Sequence, residues 1–334
     1  PLSTYLPEPY IADDARLHRI TARRVLSHTP GFPNWRPKDR PLRIHFDAGE
    51  RFAYSGEGYV YLQRVIEHLS GQPLDVWMRS RLLDPLGLHH SSYVWLDTYE
   101  TQAAVGHDKE GKPNQPGKML EPNAAYSLYT TPAEFARWMV LLLQPPADPA
   151  GLTAQQAAQM LTPHIPVNDA GFDAERPVSE VQTDDQVSWG LGWGLQRASG
   201  GGAFWHWGDN GDFQAFAMGF PRQKAGMVCM ANSESGRALW NDLFGLAFGG
   251  AQPAIDWLLS LYGDGKKSEE REAVTLTVAE VAAYLHLHPL TVRNLIRRGE
   301  LPARKVGREW QIERAELERW IVERTKENSA SPAR

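Results

Sequence analysis

Apolar positions follow a helical period through the first half of the chain and a period of two further on, and that change divides it. Ile20 to His28 predicts a short helix with Thr21 as its cap, ending in a Thr-Pro-Gly stop. Glu57 to Ser70 places Tyr59, Leu62, Val65, Ile66 and Leu69 at helical spacing, and Gly71 ends it. Further helices are predicted over 74–83, over 130–144 with Thr131, Pro132 and Glu134 as a start signal, and over 152–160. Residues 1–20 read as extended, 95–125 as loops, and 165–186 as a polar surface excursion. From Trp189 onward WGLGWGLQ, AFWHWG, FQAFAMGFP and AGMVCMAN alternate as strands of an antiparallel meander, closed by a helix over 236–248. The fold class expected is α/β (α+β): one antiparallel sheet flanked by helices.

After Tyr262 the pattern breaks. GDGKKSEEREA is charged, has no apolar period and reads as a linker over 263–274. A second apolar pattern occupies 275–325, and 326–334 reads as a disordered tail. The first domain therefore spans 1–262. In the second, Thr277 caps a helix over 278–285, His288 and Pro289 start another that Gly299 stops, and 303–312 forms a two-stranded wing turning at Gly307.

Composition adds little to this picture. The 334 residues are 42% hydrophobic and 22% charged, with a formal charge of -5. A lone Cys229 in an apolar run excludes an intramolecular disulfide and reads as a buried small hydrophobe. No apolar run reaches the ~18 residues of a membrane span. His89-His90 and His286/His288 lack partners at metal spacing, so neither metal nor cofactor is expected.

The candidate chemistry begins at FAYSGEGYVYL, where Tyr54 and Ser55 sit in a glycine-flanked turn that enters a helix. Together with SHTPGFPNW, DPLGLHHSSY, YSLYTTPAEFARW, WGLGW, HWGDNGDF and VCMANSESG, in this order, it resembles the serine beta-lactamase and penicillin-binding-like hydrolases, in particular the class C-type esterase and D-aminopeptidase relatives. The resemblance covers residues 1–262 and implies acyl transfer by a serine-x-x-lysine pair, a tyrosine loop and a lysine- or histidine-x-glycine edge strand. Tyr54 matches the tyrosine that moves protons with the lysine, and His206 matches the edge-strand cation. Ser55, Gly56 and Gly208 match positions lining the substrate, and the N–H of Asp209 an oxyanion donor. Read without the family, Tyr54 could be a core tyrosine and His206 a packed imidazole.

Three departures matter. Gly56 stands where the family often has asparagine, and His206 where true beta-lactamases have lysine, which shifts the expected substrate from penicillins to a small ester or peptide. No serine in the chain has lysine three residues later. In the family that motif precedes the segment matching Pro1 to Tyr10, so the expectation is a fragment whose natural N-terminus lies upstream and which, as given, does not hydrolyse esters, amides or beta-lactams. Its rival is a transcription regulator whose hydrolase-like part is a non-catalytic ligand receptor. An accidental fusion of the two modules is a third reading.

TLTVAEVAAYLHLHPLTVRNLIRRGELPARKVGREWQIERAELERWI resembles the excisionase-type, MerR-related winged helix-turn-helix. The resemblance implies double-stranded DNA as partner and a cytoplasmic setting. On its second helix Val292, Leu295 and Ile296 can face a core while Thr291, Arg293, Asn294 and Arg297 point outward, as base-reading residues do in a major groove. Arg304, Lys305 and Arg308 would bring the wing to phosphates.

Overall fold

The computed structural model describes residues 1–115, 117–144, 152–198, 201–263, 275–285, 287–307, 309–313, 316–317 and 320. The chain divides into two compact units, Pro1–Trp240 and Asn241–Arg334.

In the first unit six helices precede or flank the sheet: α1 (Ala22–Leu26), α2 (Gly56–Ser70), α3 (Leu74–Met78), α4 (Tyr99–Gln102), α5 (Pro132–Leu143) and α6 (Ala154–Met160). Their ends follow side-chain chemistry. The Thr21 hydroxyl accepts from Arg24 N–H, Gly71 closes α2 at φ +66°, and Thr153 and Gln156 form a reciprocal cap on α6. Thr131 caps α5, but Glu134 does not reach back to it. Its buried carboxylate instead accepts from His90 N–H and the Ser91 hydroxyl, tying α5 to the 90–91 loop. The helical layer has its own core of Leu17, Ile20, Val25, Phe32, Tyr61 and Val65.

The sheet has six antiparallel strands in sequence order: β1 (Ile165–Asn168), β2 (Thr183–Trp189), β3 (Gly194–Gln196), β4 (Ala203–Asp209), β5 (Gln214–Phe220) and β6 (Ala225–Ala231). It begins earlier than predicted, since β1 and most of β2 lie in the stretch read as a polar excursion. Only the end of β2 is buried, so residues 183–186 remain polar on a strand and show no alternation. WGLGW is not one strand: it turns between Trp189 and Gly194 with Gly192 at φ +78°, and Gly190 is required where a side chain would stand 2.1 Å from the Met160 carbonyl oxygen. Met139 and Leu142 of α5 and Ala157 of α6 pack with Trp193, Leu195, Phe204 and Ala217 of the sheet region.

The second unit holds α7 (Trp240–Phe248, its first residue at the boundary), α8 (Pro253–Leu261), α9 (Val278–Tyr284) and α10 (Pro289–Arg297). Helix α8, with Pro253 at its first turn, lies where the sequence pattern predicts none. A three-stranded sheet, ordered β7-β9-β8, joins β7 (Thr275–Thr277), β8 (Arg304–Val306) and β9 (Glu309–Glu313). The predicted two-stranded wing thus gains a strand from just before α9. Val281, Val292, Ile312 and Leu317 form the centre of a small core. Most of the predicted linker and all of the predicted tail lie outside the described residues.

Candidate functional site

The Tyr54 loop is held from several directions. Arg51, 3% exposed, donates to the carbonyls of Phe52, Asp173, Ala174 and Arg176. Asn168 of β1 donates to the Phe52 carbonyl, and Tyr54 N–H donates to the Gly171 carbonyl. Phe172 meets the Tyr54 ring edge-on at 5.7 Å between centroids. The segment between β1 and β2, read from sequence as surface, is therefore the cradle of this loop. Nothing in the sequence marks Arg51, Asn168 or Phe172, whose roles come from contacts more than a hundred residues apart.

Ser55 caps α2. Its hydroxyl accepts from Gly58 N–H and donates to the Pro33 carbonyl, and the residue is fully buried, so its side chain is committed to holding the helix start. Gly56 donates its N–H to Asn34 Oδ1, and a Cβ there would lie 2.7 Å from the Trp35 ring. The indole fills the space beside Gly56, so a side chain there would displace it.

Opposite this loop stands β4. β3 pairs with it through Ala203, Phe204 and Trp205, and among the described residues no strand pairs with the His206 to Asp209 edge on that side. At the hairpin tip Asn210 N–H bonds to the Phe213 carbonyl. Hydrogen-bonded and open pairs alternate in an antiparallel ladder, so Gly208 points its backbone groups at β5 and Asp209 directs its N–H to the open edge. A Cβ at Gly208 would meet only Ala215, at 3.7 Å, so packing does not demand the glycine, and it leaves space. The Asp209 carboxylate is engaged: Arg237 pairs with it at 3.1 Å, and Gln214 and Gly211 N–H donate to it.

Tyr54 and the HWG strand meet, with ring centroids 6.4 Å apart for His206 and 4.6 Å for Trp207. His206 donates from Nδ1 to the Trp207 carbonyl at 2.8 Å, which leaves Nε2 as an acceptor. Desolvation lowers its pKa to about 4. His28, 1% exposed, stacks on Tyr54 at 4.0 Å, and burial followed by repulsion from His206 holds its pKa well below the usual imidazole value. Both imidazoles are neutral near pH 7, so neither supplies the positive charge that a lysine would bring. Beside α2 lies a separate cavity of about 970 Å³ reached by Tyr10, Arg36, Glu57 and Arg64. Its Glu57 carboxylate is satisfied by Tyr10 and Arg36, and neither Tyr54 nor His206 lines it. Among the described residues no cluster of His, Cys, Asp and Glu fits a metal.

These features coincide with a match of residues 1–247 to the beta-lactamase family model. The chain belongs to the beta-lactamase family. Residues 275–325 match a helix-turn-helix domain model. Penicillin-binding protein 4 of Amycolatopsis lactamdurans is 26% identical over 262 residues, covering 72% of this chain and 66% of that protein. Protein flp of Staphylococcus aureus strain N315 is 22% identical over 254 residues, covering 70% of this chain and 47% of the relative. The chain thus spans about two thirds and about half the length of these two relatives. A class C beta-lactamase structure superposes with a TM-score of 0.55 at 18% identity, over 70% of this chain and 68% of the other. The octameric penicillin-binding protein homologue from Pyrococcus abyssi gives 0.55 at 19% identity, over 90% and 63%. At these identities the likeness speaks for fold alone.

In the helix-turn-helix unit, Thr291, Arg293, Asn294 and Arg297 of α10 are exposed while Val292, Leu295 and Ile296 are buried, the division expected from sequence. Arg304 and Lys305 of β8 are exposed too; Arg304 lies 3.7 Å from Glu313, and Lys305 stands over the Trp310 ring. Arg308 lies outside the described residues. No helix among the described residues is long and apolar enough to cross a membrane.

Proposed function

We propose that this chain carries the ligand-facing part of an acyl-transfer site of the esterase, peptidase or beta-lactamase type, in a protein that binds double-stranded DNA through an excisionase-type winged helix-turn-helix. The observation that carries the reading is the meeting of Tyr54 with His206 and Trp207, residues some 150 positions apart, along a strand edge with which no described strand pairs. In this reading Tyr54 is the proton-transfer group, His206 Nε2 an acceptor for a substrate hydrogen, the Asp209 N–H an oxyanion donor, and Gly208 the residue that leaves room for the substrate, while Gly56 admits the Trp35 ring beside the loop. Ser55 acts through the cap that fixes the loop. The first domain is taken to run to residue 262, with 263–274 as linker, and the DNA partner implies a cytoplasmic setting.

Ser-x-x-Lys is absent from these 334 residues, and the imidazoles beside Tyr54 are neutral, so the polypeptide as given is expected to leave nitrocefin and p-nitrophenyl esters intact. Turnover that disappears in Tyr54→Phe would overturn this. The same two observations favour a second reading, a transcription regulator whose hydrolase-like domain is a ligand receptor. The codons upstream of Pro1 separate the two: a serine-x-x-lysine there supports the enzyme, and a start codon without one supports the receptor.

A further inference from the structure

His28 takes no part in the chemistry just assigned, yet it touches three consecutive residues of the Tyr54 loop. Its carbonyl accepts from Ala53 N–H at 2.9 Å, its Nδ1 accepts from Ser55 N–H at 3.0 Å, and its ring stacks on that of Tyr54 with 4.0 Å between centroids and 28° between planes. One residue can present carbonyl and ring to the same segment here because its backbone is turned into the left-handed region, φ +52°, which side chains other than glycine seldom adopt. Phe52 and Trp189 stand edge-on to the imidazole at 5.9 and 4.9 Å, so it cannot swing aside. Since Ser55 N–H donates to Nδ1, the ring proton sits on Nε2, which has no hydrogen-bond partner among the described residues. A buried polar ring kept at this cost in backbone conformation and hydrogen bonding is explained by what it holds.

We infer that His28 is a positioning residue: a clamp that fixes the Tyr54 ring opposite the HWG strand by bracing the backbone on either side and the ring from behind. This rests on the reading of Tyr54 as a site residue. The two bonds set the direction of the loop, and the stack sets the ring orientation, so one change can remove each part separately. His28→Asn keeps a short acceptor for Ser55 N–H without an aromatic face, whereas His28→Phe keeps the face without the acceptor.

The test is NMR on the full 334-residue chain, with tyrosine ring signals assigned by their disappearance in Tyr54→Phe. In the unmutated protein the Ala53 and Ser55 amides are expected to exchange at least ~100-fold more slowly than exposed loop amides, and the Tyr54 ring signals to be shifted upfield by the imidazole. In His28→Asn the ring signals return towards those of an unstacked tyrosine while Ser55 stays protected. In His28→Phe the ring shift persists while Ser55 exchange rises at least ~tenfold. Unchanged ring signals and unchanged Ser55 protection in both folded variants would overturn the clamp. So would fast exchange of Ala53 and Ser55 in the unmutated protein, a result that needs no variant to fold. Nitrocefin binding separates the clamp from the reading it rests on: if nitrocefin shifts the amides of β4 equally in the unmutated chain and in Tyr54→Phe, the site reading fails and the clamp stands.

Discussion

Lowering the pH should begin to destabilise the first unit above the range in which its carboxylates protonate. The folded state holds His206 at a pKa of about 4 against 6.5 for an ordinary imidazole, and His28 is displaced in the same direction. A histidine kept neutral by burial binds its proton more readily in the unfolded chain, so stability is intact above the unfolded pKa and falls as pH drops from there towards the folded pKa. For His206 alone, integrating from about pH 7 to about pH 4.5 gives a loss on the order of 2 kcal/mol, approaching ~1.4 kcal/mol per pH unit within the window. His28 adds to it. Asp14 and Glu100, whose pKa values are lowered mainly by hydrogen bonds from Arg16 and Lys118, lose their contribution only below the ordinary carboxylate range, so the two windows separate. Urea denaturation followed by tryptophan fluorescence at half-unit pH steps reads the effect, with His206→Gln as the reference that removes one imidazole. Equal slopes for the two proteins through this window would refute the reasoning, since the titration would then not be that of His206.

Further outcomes follow from packing and charge. Gly194→Ala should cost about 1–3 kcal/mol, because a Cβ would stand 2.3 Å from the ring of fully buried Trp205; an unchanged urea midpoint would mean the indole yields. Arg51→Met removes the Arg51 donor from the carbonyls of Asp173, Ala174 and Arg176 and leaves Phe52 its bond from Asn168, and a loss of roughly 3 kcal/mol is expected, visible in Tm and in faster exchange of the Tyr54 amide. Arg293→Ala with Arg297→Ala should weaken duplex binding and lower its salt slope by about 0.9 for each phosphate that is no longer neutralised; gel shifts unchanged in both affinity and slope would exclude α10 as the DNA-reading helix.

What the sequence disclosed depended on whether the signal was local. Thr21, Thr131, Gly71 and the Val292/Leu295/Ile296 spacing act within a turn or two, and the helices they mark are present. β1 and the outer part of β2 are hidden in the sequence because β1 buries two adjacent residues, Val167 and Asn168, and the outer part of β2 buries none, which leaves no period of two to read. Glu134 has the spacing of a capping partner but serves His90 and Ser91, a choice made by the tertiary fold. The candidate site was legible through Tyr54, His206 and Gly208, and illegible in the supports that aim them. Arg51 and Asn168 bind backbone carbonyls, and a carbonyl carries no residue identity to read.

The neutral imidazoles sharpen what the histidine in HWG means. A lysine at that place starts from a much higher intrinsic pKa and so keeps its charge through more desolvation than an imidazole can, and would steady a phenolate or an anionic substrate group by Coulomb attraction. His206 lies against Trp189, Trp193 and Trp207, and desolvation there keeps it uncharged, so its contribution is a directed hydrogen-bond acceptor. The acidic side chain further along the strand, Asp209, is offset by Arg237, so in the proposed site its negative charge would not oppose an anion at the adjacent N–H. So arranged, the proposed site would favour a neutral ester or amide carbonyl over a ligand that must be held by its carboxylate. It also makes any proton transfer through Tyr54 depend on a positive charge that neither imidazole provides.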